Sequence, residues 1–182
     1  MRFYPDSFKV STPADRSIHV ERDFNAPREL VFDAFTRPEL VRRWLLGPDG
    51  WTMPVCEIDL RVGGAYIVRT SDGALHISGE VAECVPCRKL SFTFNVNWPE
   101  LIDKLGPTLV TYEIEPAGEA VRLTMTESHD RPLDDDILSG GRQGWPAILS
   151  SLKSLLETGL PLVVKMAPPE RKIGRASCRE EC

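Results

Sequence analysis

Cys84-Val85-Pro86-Cys87 has the spacing of a redox dithiol or of half a zinc site. The redox version opens a helix after a strand, which helps lower the thiol pKa. Here the string falls between two runs that read as strands, so it occupies a hairpin turn. A zinc site needs two more ligands, and Cys56 with one of the scattered histidines would supply them only by coincidence. The expectation is two ordinary cysteines and no metal.

Three polar groupings remain. His76, Ser78 and Glu80 recur at every second position and share one strand face. Turned inward they could form a patch for acid–base work. The alternate set, Leu75, Ile77, Gly79 and Val81, is more apolar and is the expected interior. Glu57 and Asp59 are one strand step apart, and a desolvated carboxylate pair can divide acid–base roles. Alternation with Cys56, Ile58 and Leu60 places them on the wet side instead. Ser128-His129-Asp130 gathers hydroxyl, imidazole and carboxylate, but chain neighbours rarely meet in triad geometry. No nucleophile-elbow string accompanies them, so they are discounted.

The remaining candidates are large and apolar: Trp44, Trp51, Tyr66, Phe94, Trp98, Tyr112 and Trp145. Some must build the core, yet ligand sites are themselves mostly apolar with a few polar groups. These residues, with Met125 and Leu149, are the expected pocket lining; catalytic residues are not assigned. Trp145 is foremost, because Gly140, Gly141 and Gly144 precede it and allow close backbone approach.

The elements that must position them follow from periodicity. Ser17 to Asn25 alternates as a strand. Asn25 is placed as an N-cap and Pro27 suits the first turn of a helix carrying Leu30, Val31, Ala34 and Phe35. Pro38 restarts the chain in a second helix with Leu40, Val41, Trp44 and Leu45, and Gly47-Pro48-Asp49-Gly50 must break it. Strands are expected at 53–61, 65–70, 75–84, 90–96, 108–115 and 120–127, with turns at Gly63-Gly64, Ser71-Asp72-Gly73, Val85 to Arg88 and Pro116 to Glu119. Residues 97–106 read as a looser connection and 128–136 as a polar loop. From about Ile137 to Glu157, Trp145, Ile148, Leu149, Leu152, Leu155 and Leu156 fall at helical spacing. Gly159 then closes the helix and Pro161 blocks extension. Short turns between consecutive strands imply an antiparallel sheet, and only the last helix is long enough to cover it.

The 182 residues carry a formal net charge of −5 with no basic run, which makes nucleic acid or an anionic membrane a poor partner. No run approaches signal-peptide or membrane-spanning length, so a cytoplasmic location is expected. Five cysteines, an odd number without a secretory signal, argue against a disulfide framework. The last ten residues, IGRASCREEC, read as foreign. They resemble a translated sequencing adapter, so 173–182 is expected to be non-native read-through after a tail of 161–172, with residues 1–16 an N-terminal extension and 17–160 one domain.

Several strings match a known family in the right order: ERDFNAPRELVFDAFTRPELVRRWLLGPDGW, EIDLRVGGAYIV and GWPAILSSLKSLLETG. Over roughly Ile18 to Gly159 the chain resembles the SRPBCC (START-like) superfamily. Within it, the resemblance is to the family of the C-terminal domain of the activator of heat-shock-protein-90 ATPase, whose bacterial members are often described as polyketide-cyclase-like. The resemblance implies an α+β helix-grip (START-like, Bet v 1-like) fold, a seven-stranded antiparallel sheet curled around a long C-terminal helix with a cavity between. Many relatives carry a second tryptophan directly after the one at Trp44, where this chain has Leu45. A Pro-Pro turn is common where it has Pro86-Cys87.

The functional expectation is a domain that binds a small hydrophobic or aromatic molecule without metal, nucleotide or other cofactor, as monomer or homodimer. The rival is a cyclase, aromatase or hydrolase on a polyketide-like substrate, working by holding a flexible chain in a reactive shape. A co-chaperone module that stimulates a chaperone ATPase ranks last.

Overall fold

The computed structural model describes residues 8–45, 53–71, 73, 76–97 and 99–162. Alternating apolar and polar residues set its strands, and spacings of three and four set its helices. The order is β1 (Phe8–Ser11), β2 (Ser17–Phe24), α1 (Arg28–Thr36), α2 (Pro38–Trp44), β3 (Val55–Ile58), β4 (Ala65–Arg69) and β5 (His76–Val85). There follow β6 (Lys89–Thr93), β7 (Asn95–Val96), α3 (Pro99–Leu105), β8 (Thr108–Ala117), β9 (Ala120–His129) and α4 (Asp135–Thr158). Trp51, Trp98, the Gly47–Gly50 helix break, Asp72, Leu75 and the tail from residue 163 lie outside the described residues.

Every strand pairing is antiparallel, in the spatial order β1-β2-β9-β8-β6-β5-β4-β3, with β7 paired to β5. The link from β2 to β3 crosses nearly the whole sheet, and α1 and α2 fill that crossover. The long helix α4 lies on the inner face, against β2 and α2. This is the expected α+β helix-grip architecture with its long C-terminal helix.

The strand count differs: nine among the described residues instead of seven. One addition is β1, inside the segment expected to be an extension; it pairs with β2 from Phe8 opposite Arg22 to Ser11 opposite His19. The other comes from the break of the 90–96 strand into β6 and β7. The Glu80 backbone N–H donates to Thr93 Oγ1 at 2.9 Å instead of to a ladder carbonyl, and the β5–β6 register shifts between Val81 and Glu83. Gly79 permits this: a Cβ there would sit 1.6 Å from the Thr93 carbonyl oxygen. A bulge of this kind bends the strand and sharpens the curl of the sheet.

Four further expectations are corrected. Asn25 does not cap α1; Pro27 holds that position without a side-chain cap, and the Asn25 N–H instead donates to Glu157 Oε1 at 2.7 Å. Residues 99–105 form the helix α3 within the stretch read as a looser connection. The strand β9 continues to His129, so the polar loop begins later and the inner-face alternation Leu123, Met125, Glu127, His129 is unbroken. The strand expected at 53–61 is also shorter, because Asp59 turns to clamp Arg61 (Nη2 to Oδ2, 2.6 Å) before the turn at Gly63.

The core is continuous from β2 through α1 and α2 to α4. Leu138, Trp145, Leu149, Leu152 and Leu155 supply the buried stripe of α4. Gly141 lets this helix approach β2 closely: a Cβ there would meet Ile18 Cδ1 at 2.1 Å. Gly159, with φ +82°, ends the helix in the left-handed region as expected. No helix among the described residues is long and apolar enough to cross a membrane.

Candidate functional site

A cavity of about 300 Å³ lies between the concave face of the sheet and the first half of α4. The alternation of strands brings Ile18, Tyr66, Ile77, Phe92, Tyr112 and Glu127 to its floor, and Phe94 and Val96 continue that surface past the break between β6 and β7. Trp44 and Leu45 at the end of α2, and Leu101 and Leu105 of α3, close its sides. Gly140, Gly141, Gly144, Trp145 and Ile148 form the α4 wall.

Of the expected pocket residues, the fold brings Trp44, Tyr66, Phe94, Tyr112 and Trp145 together on this wall. Met125 and Leu149 lie outside this lining. Met125 is paired between Val20 and Tyr112, Leu149 sits one helical turn beyond Trp145, and both are fully buried in the core. Leu45, the position that departs from the tryptophan pair of relatives, lies on the wall beside Trp44.

The aromatic rings fix one another. Tyr66 stacks on Phe92 with centroids 4.2 Å apart and planes 14° from parallel, and Phe94 approaches Trp145 at 5.8 Å. Two polar tips are satisfied away from the cavity: Tyr66 O–H donates to the Phe35 carbonyl at 3.2 Å and Trp44 Nε1–H to the Ala34 carbonyl at 2.8 Å. Burial, then neighbouring Tyr112 and Cys56, hold the Tyr66 phenol far above its usual titration range. Burial and the charge of Glu127 do the same to Tyr112. Both phenols stay neutral.

One buried acid interrupts this apolar wall. Glu127 Oε1 lies 3.0 Å from His129 Nε2, and Trp145 Nε1–H donates to Glu127 Oε2. The side chains of His129 and Glu127 are 0% and 7% exposed. His129 Nδ1 is 3.1 Å from the Leu105 carbonyl oxygen, which can only accept, so Nδ1 carries a proton. Thr108 Oγ1 is equally close and donates its own proton to the Gly106 carbonyl. Burial pulls the His129 pKa down. The hydrogen bond to Glu127 and its charge, the Leu105 carbonyl and Asp130 outweigh that, and the net shift is upward. The charged imidazolium, donating Nε2–H to Glu127, is therefore favoured.

Reading the sequence by adjacency misses this Glu127–His129–Trp145 chain. Residues 128–130 are neighbours along the backbone, whereas strand alternation pairs 127 with 129. The available signal is the alternation Leu123, Met125, Glu127, His129, an apolar face that ends in an acid and a base.

The other groupings lie elsewhere. Ile77 faces the cavity and Val81 is buried, so Glu80 projects outward as expected. Cys56 is buried and Glu57 exposed, again the expected faces, although Leu60 is exposed as well. Cys84 and Cys87 flank the β5–β6 turn, where Cys87 adopts φ +59°. Burial raises the Cys84 pKa, opposite to the shift a reactive thiolate needs. Among the described residues no group of three or more His, Cys, Asp or Glu side chains is placed to hold a metal ion.

Comparison with known proteins bears on the same residues. Residues 25–157 match the profile of the family described as Activator of Hsp90 ATPase homolog 1-like protein. No curated protein matches the chain. Among solved structures, protein MLL2253 from Mesorhizobium loti is 26% identical, with a TM-score of 0.64 over 78% of this chain and 96% of that one. The Q3J4M4_RHOS4 protein from Rhodobacter sphaeroides is 22% identical, with a TM-score of 0.69 over 83% and 98%. The Aha1 dimer from Colwellia psychrerythraea is 20% identical, with a TM-score of 0.59 over 79% and 97%. The last two are similar in fold.

Proposed function

We propose, from the premise that the chain belongs to the family of Activator of Hsp90 ATPase homolog 1-like proteins, that it binds a small hydrophobic or aromatic molecule in the cavity beneath α4. The observation that carries this is a cavity of about 300 Å³ whose wall is almost wholly apolar and aromatic, with one buried carboxylate. That volume is at the lower end for small-molecule sites, which suits one or two fused rings. Burial of apolar ligand surface supplies the affinity, and the interlocked rings of Tyr66, Phe92, Phe94 and Trp145 keep the site preformed. A ligand that binds only the native state raises apparent stability by mass action. A thermal-shift panel of one-, two- and three-ring hydrophobic compounds tests this. Stabilisation by small aromatic members supports the reading, and no shift across the panel contradicts it.

A second reading, a cyclase or hydrolase using the same cavity, is favoured by the inward-facing Glu127–His129 pair. A carboxylate backed by an imidazole can take and return a proton within a closed site. Turnover of a polyketide-like substrate that disappears in Glu127→Gln supports it; turnover unchanged in that variant removes it.

A further inference from the structure

We propose that the cavity selects a hydrophobic ligand bearing one neutral hydrogen-bond donor, a phenol-type hydroxyl, which docks on Glu127. This rests on the ligand-binding reading above and names the chemistry of that ligand. Among the described residues, Glu127 and Asp136 are the acidic ones on the wall; Asp136 is solvent-exposed in the first turn of α4, and Glu127 is buried.

A carboxylate offers about four acceptor sites, two on each oxygen. His129 Nε2 occupies one on Oε1 and Trp145 Nε1–H one on Oε2. Each oxygen therefore keeps acceptor capacity, and Glu127 lines a largely apolar space, where unused acceptors are costly. Only a donor can use it, because a carboxylate does not donate. An ether, ketone or ester oxygen in the ligand would meet Glu127 lone pair to lone pair.

Charge decides which donor. The titratable groups facing Glu127 are His129 and Tyr112, with Asp130 acting on His129. Carboxylate and imidazolium cancel, and Tyr112 is neutral. The anchor thus offers strong acceptors with little net negative field, while an ammonium ligand would surrender its hydration without a full counter-charge. A neutral hydroxyl loses far less on entry. Phe94 and Trp145, in contact across the wall, favour an aromatic ring beside that hydroxyl.

Four probes of common shape test the proposal by calorimetric titration: naphthalene, 2-naphthol, 2-methoxynaphthalene and cationic 2-(aminomethyl)naphthalene. 2-Naphthol is expected to bind the native protein at least about tenfold more tightly than the other three, since a hydrogen bond to a charged group typically contributes that much. In Glu127→Gln the amide N–H can donate to the unprotonated Nε2 of neutral His129 while its oxygen accepts from Trp145, so the local network survives. There the advantage of 2-naphthol over naphthalene should fall severalfold. Equal binding of 2-naphthol and the masked or bare probes by the native protein overturns this inference and leaves the ligand-binding reading standing. So does an advantage retained in full by Glu127→Gln, and so does tighter binding of the ammonium. Binding of none of the probes contradicts the ligand-binding reading and this inference with it. The ranking on the native protein decides the matter even where the variant folds poorly.

Discussion

Glu127 and His129, two residues apart on β9, meet as a buried pair, Oε1 to Nε2 at 3.0 Å, on the inner face of the sheet. The pair ties three elements together. His129 reaches back to Leu105 at the end of α3 and Thr108 at the start of β8, and Glu127 receives the indole N–H of Trp145 from α4.

That linkage gives a signed pH dependence. The folded-state pKa of His129 lies above its ordinary value. The stability this shift contributes is complete below the unfolded pKa, about 6.5, and is lost as pH rises through the raised folded value. Urea unfolding of the native protein from about pH 6 to pH 9, compared with His129→Gln, should show the native protein losing stability relative to the variant as pH rises. Parallel stability profiles would contradict the raised pKa.

Removing the acid should be far worse than neutralising it. Glu127→Leu leaves His129 Nε2 and the Trp145 indole N–H buried without acceptors, and breaking a buried pair by removing one partner costs about 3–5 kcal/mol. Glu127→Gln keeps both contacts in an alternative tautomer and should cost distinctly less. Chemical denaturation of the two variants checks the order, and equal losses would contradict the hydrogen-bond assignment.

Two glycines should respond oppositely to alanine. Gly79→Ala drives a methyl into the Thr93 carbonyl at the strand break, with backbone on both sides, and should cost about 3 kcal/mol or prevent folding. At Gly144, in the body of α4, an added methyl would meet no atom within 4 Å, so Gly144→Ala should gain about 0.5–1 kcal/mol from helix propensity. Thermal denaturation distinguishes them.

Leu45 follows Trp44 on the cavity wall. Leu45→Trp adds bulk beside Trp44 at the cavity edge. It should weaken 2-naphthol binding by about tenfold, about 1.4 kcal/mol, with little change in stability. Unchanged affinity would show that this edge does not limit the ligand.

The fold is largely legible in the sequence because its signals are periodic. β2, β8, β9 and the stripe of α4 each repeat at the period of their element, and family strings repeat the same order. Local exceptions are not legible. Gly79 reads only as one glycine in a strand, since its contact with Thr93 comes from a residue on another strand. α3 is short, and its apolar residues Leu101 and Leu105 are explained by the cavity they border, not by their own spacing. Of the seven expected pocket residues among the described ones, five line the cavity, because large aromatics on an inner strand face or at a helix end have few other places to go. Met125 and Leu149 share those faces but are fully buried outside the lining, a distinction of depth that periodicity does not carry. Glu127 escapes a search among sequence neighbours because its partner is two residues away.

A small aromatic ligand held in the space under α4 would lie against Glu127 and Trp145. The most direct test follows the indole Nε1–H resonance of Trp145 by two-dimensional NMR during titration with 2-naphthol, with Trp145→Phe to assign the signal. Docking beside Trp145 should give a saturable shift of that resonance, with the same midpoint as the calorimetric titration. Saturable binding that leaves the Trp145 signal unmoved, or no binding at all, would contradict it.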